Sequence, residues 1–449
     1  ATAAGAGHTI HVRTGTGTNS GQNAGITLLA NQRLLGEGVA LTAVGTFNGV
    51  VNPQLLASSV TRPSIGNGAG NAVTLASTNT VAGFTVAATN GSAISGNNFG
   101  TATLHTMDLS CTGSGGAAIA LNNGTIATGT GITIAATSCT RGLDLNTVAG
   151  TLTTTGGTLT GSTSEGVLIT GGSATLNIAN NIQNSGGTNF SISGGTGNIT
   201  HTGTITDTSG GMVSISGSTA GTKSFQGSIT NNTAGTGISL TNNSGTTMSF
   251  SGAISLVTGA NAAFAATGGG TVSVTNASNI LTTTTGTALN VTGTTIGATG
   301  LLFRSLTKGP GGGNGIVLDN TGALAGLTVT GDGANTAVGG NGSGGTIGGT
   351  TGVDGGTAGI GVFLRDTASV VLRRMNVTGT HDNYAIRGTR VNGFTLEYAT
   401  VSGAHGTNYN AAPNNAGEGS IYFGDTANNG VTGNVVFTNN LISGGNWRN

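Results

Sequence analysis

The sequence predicts an all-β chain, a single-stranded, right-handed parallel β-solenoid with about 24 residues and three short strands per coil. Three observations carry this. Of 449 residues, 87 are Gly, 4 are Pro and only 6% are charged, a composition of turns and neutral strands. A short motif recurs: apolar, two variable, apolar, variable, apolar. Single apolar anchors also return at steps of 21–27 residues.

The anchors are Val73, Ile94, Ile119, Leu143, Val167, Phe190, Val213, Ile238, Phe264, Leu289 and Ile316, resuming at Val362, Ile386 and Ile421. Most open an alternating strand such as Val213-Ser-Ile215, which then meets Gly, Asn or Thr. Such residues make turns. A second strand follows in each period: Leu176-Asn-Ile178, Ile199-Thr-His201, Lys223-Ser-Phe225 and Met248-Ser-Phe250. A third begins at Ile182, Ile205, Ile229 and Ile254. The short motif reads Val81…Phe84…Val86, Leu104…Met107…Leu109, Leu301…Leu306, Leu324…Leu327…Val329, Leu372…Met375…Val377, Leu396…Ala399…Val401 and Phe437…Asn440…Ile442.

One coil cannot bury its inward residues alone. Stacking coils at ~4.8 Å sets apolar residue on apolar residue, and Gly and Asn supply left-handed corners. A leucine-rich repeat needs a helical half-period, and a propeller needs a longer period; neither fits. Right-handed crossovers are the general rule. The chain would make roughly 18 coils, about 85 Å of rod. It divides into regular low-charge coils over 1–330, a Gly-rich irregular stretch over 331–359 and more charged coils over 360–449. Loops interrupt at 43–68 and at 403–418, the latter with His405, Tyr409, Pro413 and Glu418.

Composition excludes several classes. The chain has 13 basic and 13 acidic side chains, so it lacks the basic surplus of a nucleic-acid binder. Its apolar runs are too short for a transmembrane helix. It lacks the charge of a disordered chain and the Gly period of collagen. The chain begins at Ala1, as after removal of a leader or as a segment of something larger. Cys111 and Cys139 are either buried small hydrophobes or one disulfide; an exported chain favours the disulfide.

The candidate chemistry lies in the last coils. Four residues after Val362, Ile386 and Ile421 come Asp366, Arg390 and Asp425, an Asp–Arg–Asp column. One residue after each anchor come Phe363, Arg387 and Tyr422, an outward aromatic–cation–aromatic ladder. Arg373 sits over Glu397. These six column and ladder residues read first as stacking that fixes coil register; the functional alternative is a carbohydrate-binding face. Arg390 would hold both carboxylates ionised, leaving no raised-pKa acid for glycoside hydrolysis. His381, Asp382 and His405 fall in turn positions and read as solvated; a metal site wants at least three ligands. His201 reads as a structural residue at the edge of an inward stack. No catalytic residue, metal ligand or cofactor is assigned.

The coils, together with Gln32-Arg33-Leu34-Leu35-Gly36-Glu37-Gly38, resemble the right-handed parallel β-helix (pectin-lyase-like) superfamily. In texture they resemble the Gly/Thr/Asn-rich β-strand-repeat surface and secreted proteins of bacteria. The superfamily includes lyases, hydrolases, tailspikes and adhesins, so the resemblance implies a fold and leaves function open. The clustered acid motifs of its lyases and polygalacturonases are absent from this sequence. The expectation is therefore an exported, non-catalytic structural solenoid: a rigid surface rod, or a filament subunit that self-associates end to end or joins further coils of a larger protein, with an adhesive role. The alternative is a carbohydrate-binding or polysaccharide-degrading β-helix protein with glycan partners.

Overall fold

The structure, a computed structural model, describes residues 4–15, 24–43, 45–208, 210–407, 417–427 and 429–446. It is an all-β parallel β-solenoid of about 24 residues per turn and about 16 turns. Two compact units divide it: residues 1–206 with 218–222, and residues 207–217 with 223–449. Each has its own inward stack.

In the first unit the anchors pair in strict register. Ile26 pairs Val73, Val73 pairs Ile94, and the column runs through Ile119, Leu143, Val167 and Phe190. From Val73 to Phe190 these six residues are at most 1% exposed. In the second unit Val213, Ile238, Phe264, Leu289, Ile316, Val362, Ile386 and Ile421 form the equivalent column. Alternate residues on each strand point in and out, so the column is the core and the intervening Ser, Thr and Asn face outward.

The position four residues after the anchor is a left-handed corner. In the first unit Asn98, Asn123, Thr147, Gly171 and Gly194 have φ of 51°, 53°, 53°, 61° and 75°. In the second, Asn242, Gly268, Gly293, Asn320, Asp366 and Arg390 occupy it. Only Gly, and to a lesser degree Asn, takes this conformation without strain. That rule accounts for much of the Gly and Asn content. The short motif marks another corner: its third residue is left-handed at Gly83, Thr106, Arg374, Tyr398 and Asn439.

Two motif copies are out of register. Leu301 pairs Leu327 and Phe303 pairs Val329, which leaves Leu324 exposed instead of matching Leu301. The turn count is also lower than the roughly 18 expected, because excursions consume residues. Strands Leu41–Thr42 and Gln54–Leu56 pair antiparallel, and Thr46–Phe47 pairs Val50–Val51. The Gly-rich stretch makes two more excursions, separated by strand Thr346–Ile347, which pairs Asn376 and Val377.

The first of these is a tightly bonded strap. The Asp332 carboxylate accepts N–H groups of Ala334 and Asn335 and the Asn341 amide. Arg374 donates to the Asn335 and Thr330 carbonyls, Thr400 donates to Gly339 O and Asn439 to Thr336 O. In the first unit Cys111 and Cys139 form a disulfide with Cα atoms 6.1 Å apart, linking consecutive turns inside the core.

Candidate functional site

The last turns of the second unit bring the sequence-predicted residues together. Asp366 and Arg390 are successive corner residues. Arg390 Nε and Nη2 donate to the two Asp366 oxygens at 2.5 and 2.6 Å, and Nη1 reaches Asp425 at 3.4 Å. The hydrogen bonds from Arg390 hold the Asp366 carboxyl below its ordinary range. Backbone N–H donation from Asn429 and Ala427, with the Asn429 amide and the Arg390 charge, does the same for Asp425. Arg365 makes a bidentate pair with Asp319 one turn earlier, and Arg373 pairs Glu397 at 2.5 Å. The outward acids here each pair with an arginine of an adjacent turn.

The aromatic ladder has the expected register and a different exposure. Phe363 pairs Arg387 and Arg387 pairs Tyr422. Phe363 lies on the outward side of its strand as expected but is only 5% exposed, so this rung is covered and does not face solvent. It packs with Ile360 and Tyr384, and Val317 and Tyr422 close the cluster. The Arg387 guanidinium lies 5.4 Å from the Tyr384 ring centroid, and Tyr384 stacks on Tyr422 at 5.8 Å. The cation thus leans on a ring that the anchor alignment had not included. The second excursion crosses this face: Arg387 reaches Gly356 O at 3.4 Å, and the buried Asn383 side chain bonds Val353 O, Ala358 O and Gly355 N. Glu418, fully buried, accepts Gly355 N and Thr407 N. Of the 403–418 loop, Tyr409 and Pro413 lie outside the described residues.

The histidines depart furthest from expectation. His381 and His405 are not solvated turn residues: both are 0% exposed. They close strands Asn376–His381 and Thr400–His405, pair in register and bring their rings to 5.3 Å. Nδ1 of His381 bonds Thr350 Oγ1 at 2.9 Å and Nδ1 of His405 bonds Ser420 Oγ at 3.0 Å. Both Nε2 atoms are buried without a hydrogen-bond partner. Beside them Lys308, also buried, gives its ammonium to the carbonyls of Gly309, Gly311 and Gly349. Among the described residues no group of three or more His, Cys, Asp or Glu gathers as a metal site.

In the first unit His201 falls where expected. It pairs Ile178, is 1% exposed, packs edge-on against Phe190 and bonds Asn180 O through Nε2. Sequence reasoning missed a cluster on this unit's outer face. Arg141 binds Glu165 at 2.7 Å and Asp144 at 3.0 Å, and borders a shallow cleft of about 210 Å³ floored by Gly115, Gly116 and Ala117. The 24-residue step between Arg141 and Glu165 is one period and could have revealed the pair. The described residues contain no helix long and apolar enough to cross a membrane. The chain matches no protein-family model, no curated protein and no solved structure.

Proposed function

We propose that this chain is a non-catalytic structural β-solenoid, exported to the cell surface or beyond, akin to the pectin-lyase-like β-helices in fold. It acts as a surface element or as a subunit that joins copies end to end, with an adhesive role secondary to the mechanical one. The observation that carries this reading is the use of the outward charges. Arg390 with Asp366 and Asp425, Arg365 with Asp319, and Arg373 with Glu397 all bridge neighbouring turns. Such pairs fix register, and those of Arg390 help hold the Asp366 and Asp425 carboxyls below the ordinary range, the opposite of what a general acid needs. The disulfide supports an oxidising compartment.

Electron microscopy of the native protein tests the proposal. Fibres built by end-to-end addition support the assembling subunit, and separate particles support the surface element. Release of reducing sugars from a polysaccharide panel would overturn the non-catalytic reading. Glycan binding abolished by Arg387→Ala and Tyr422→Ala would favour the saccharide-binding alternative.

A further inference from the structure

We propose that His381 and His405 form an acid-sensitive latch on the last turns of the second unit. The two rings are a rung of the parallel ladder, flanked by the bridges Thr350–His381 and His405–Gly445. In the neutral state each ring uses one nitrogen toward a hydroxyl, and the other nitrogen lies in the core without a partner. Protonation makes both nitrogens of a ring donors. On His381 the Nε2–H then has no acceptor; on His405 only the Ser402 backbone lies near enough to favour the proton, and neither charge has a counter-ion.

The surrounding groups oppose the charge. Lys308 presents an ammonium from the turns before, and each imidazole faces the other. The nearest carboxylates in sequence are engaged with backbone: Asp382 accepts Gly352 N, and Glu418 accepts Gly355 N and Thr407 N. Burial, His405 and Lys308 together push the His381 imidazole down to about 3, and burial pushes His405 down as well, against the backbone of Ser402, which raises it.

The sign follows from linkage. An imidazole depressed in the folded state binds its proton more readily once exposed. Its stabilisation is complete above the ordinary imidazole pKa of about 6.5 and is lost as pH falls toward the folded value. Opening strand Thr400–His405 and the turn after it exposes both rings. The opening constant then rises by up to about 100-fold per pH unit, tenfold for each imidazole. Carboxylates do not share this window, since exposed ones titrate near pH 4. The second unit holds no other histidine.

Hydrogen exchange of the full chain, corrected for the intrinsic pH dependence of amide exchange, tests the latch between pH 7 and 4.5. Strands Thr400–His405 and Val431–Thr438 are expected to lose protection by well over tenfold, while Phe264–Thr267 in the same unit changes little. Equal change in both regions, or none, overturns the proposal. The double variant His381→Asn, His405→Asn keeps a polar group near each Nδ1 position and removes the titration. It is expected to abolish the pH slope, and a retained slope overturns the latch. If that variant fails to fold, imidazole NMR titration of the wild type decides. Rings still neutral at pH 5 support the latch, and a ring titrating near 6.5 in the folded chain overturns it.

Discussion

Asp366 and Arg390 show how one residue can serve two demands. Both sit in the left-handed corner, at φ of 47° and 51°, where most turns place Gly or Asn. That conformation costs a side chain about 1 kcal/mol. The bidentate pair offsets the strain only partly, because solvent screens an ion pair this exposed. Arg390→Gly is therefore expected to be milder than Arg390→Ala: both lose the pair, and only Gly relaxes the corner. Thermal unfolding of the two variants should separate them by about 1 kcal/mol, and an equal or reversed order would show that the corner is unstrained. The anchor-plus-four rule was legible because corner geometry repeats every turn. The histidine pair was not. Thr-Gly-Thr-His381 and Ser-Gly-Ala-His405 read as turns, and only the inward sense of the strand ends reveals burial.

The strand columns determine how far an error spreads. In the second unit Phe225 stacks on Phe250 at 5.2 Å, Phe250 meets Phe264 edge-on at 5.6 Å, and Phe264 meets Phe303 at 6.4 Å. Each ring fills space that its neighbours in the stack cannot reach. Phe264→Ala is expected to cost about 3–5 kcal/mol, read as lost exchange protection centred on Phe264–Thr267 and its partners Ile238–Thr241 and Leu289–Thr292. Because turns touch mainly their neighbours, distant turns should be spared. Uniform loss along the unit would mean that it unfolds as one cooperative block. This element scale was the most readable in the sequence, since the anchor period is also the ladder register. Leu324 was misread because an apolar residue within the right spacing need not face inward. The straps were unreadable for another reason: Arg374 and Thr400 bond backbone carbonyls, and any residue type supplies those.

For the whole molecule the two units carry different dependencies. The first holds the Cys111–Cys139 disulfide, and the second contains no cysteine. Linking residues 28 apart is worth about 2–4 kcal/mol. Reduction, or Cys111→Ala with Cys139→Ala, is expected to lower protection around Ile94–Thr112 and Ala117–Thr137 and to leave the second unit unchanged. A response confined to the second unit would sink that assignment.

The strap over 331–345 also sets an order of events. Thr336 is held by Asn439, 103 residues further along the chain, and Gly339 by Thr400, 61 residues further. On a ribosome that makes the chain from its N-terminus, ordinary turns can stack as soon as each emerges. The strap cannot: its docking partners are synthesised after it. Its own turn around Asp332 can form at once, but its far side must wait while the next turns are made and laid down, and it closes only when Thr400 and Asn439 are in place. Its remote hydrogen bonds therefore report that the turns through Asn439 are in place, and a chain stopped before residue 439 would expose an open strap to proteases where a chain that reaches it is closed.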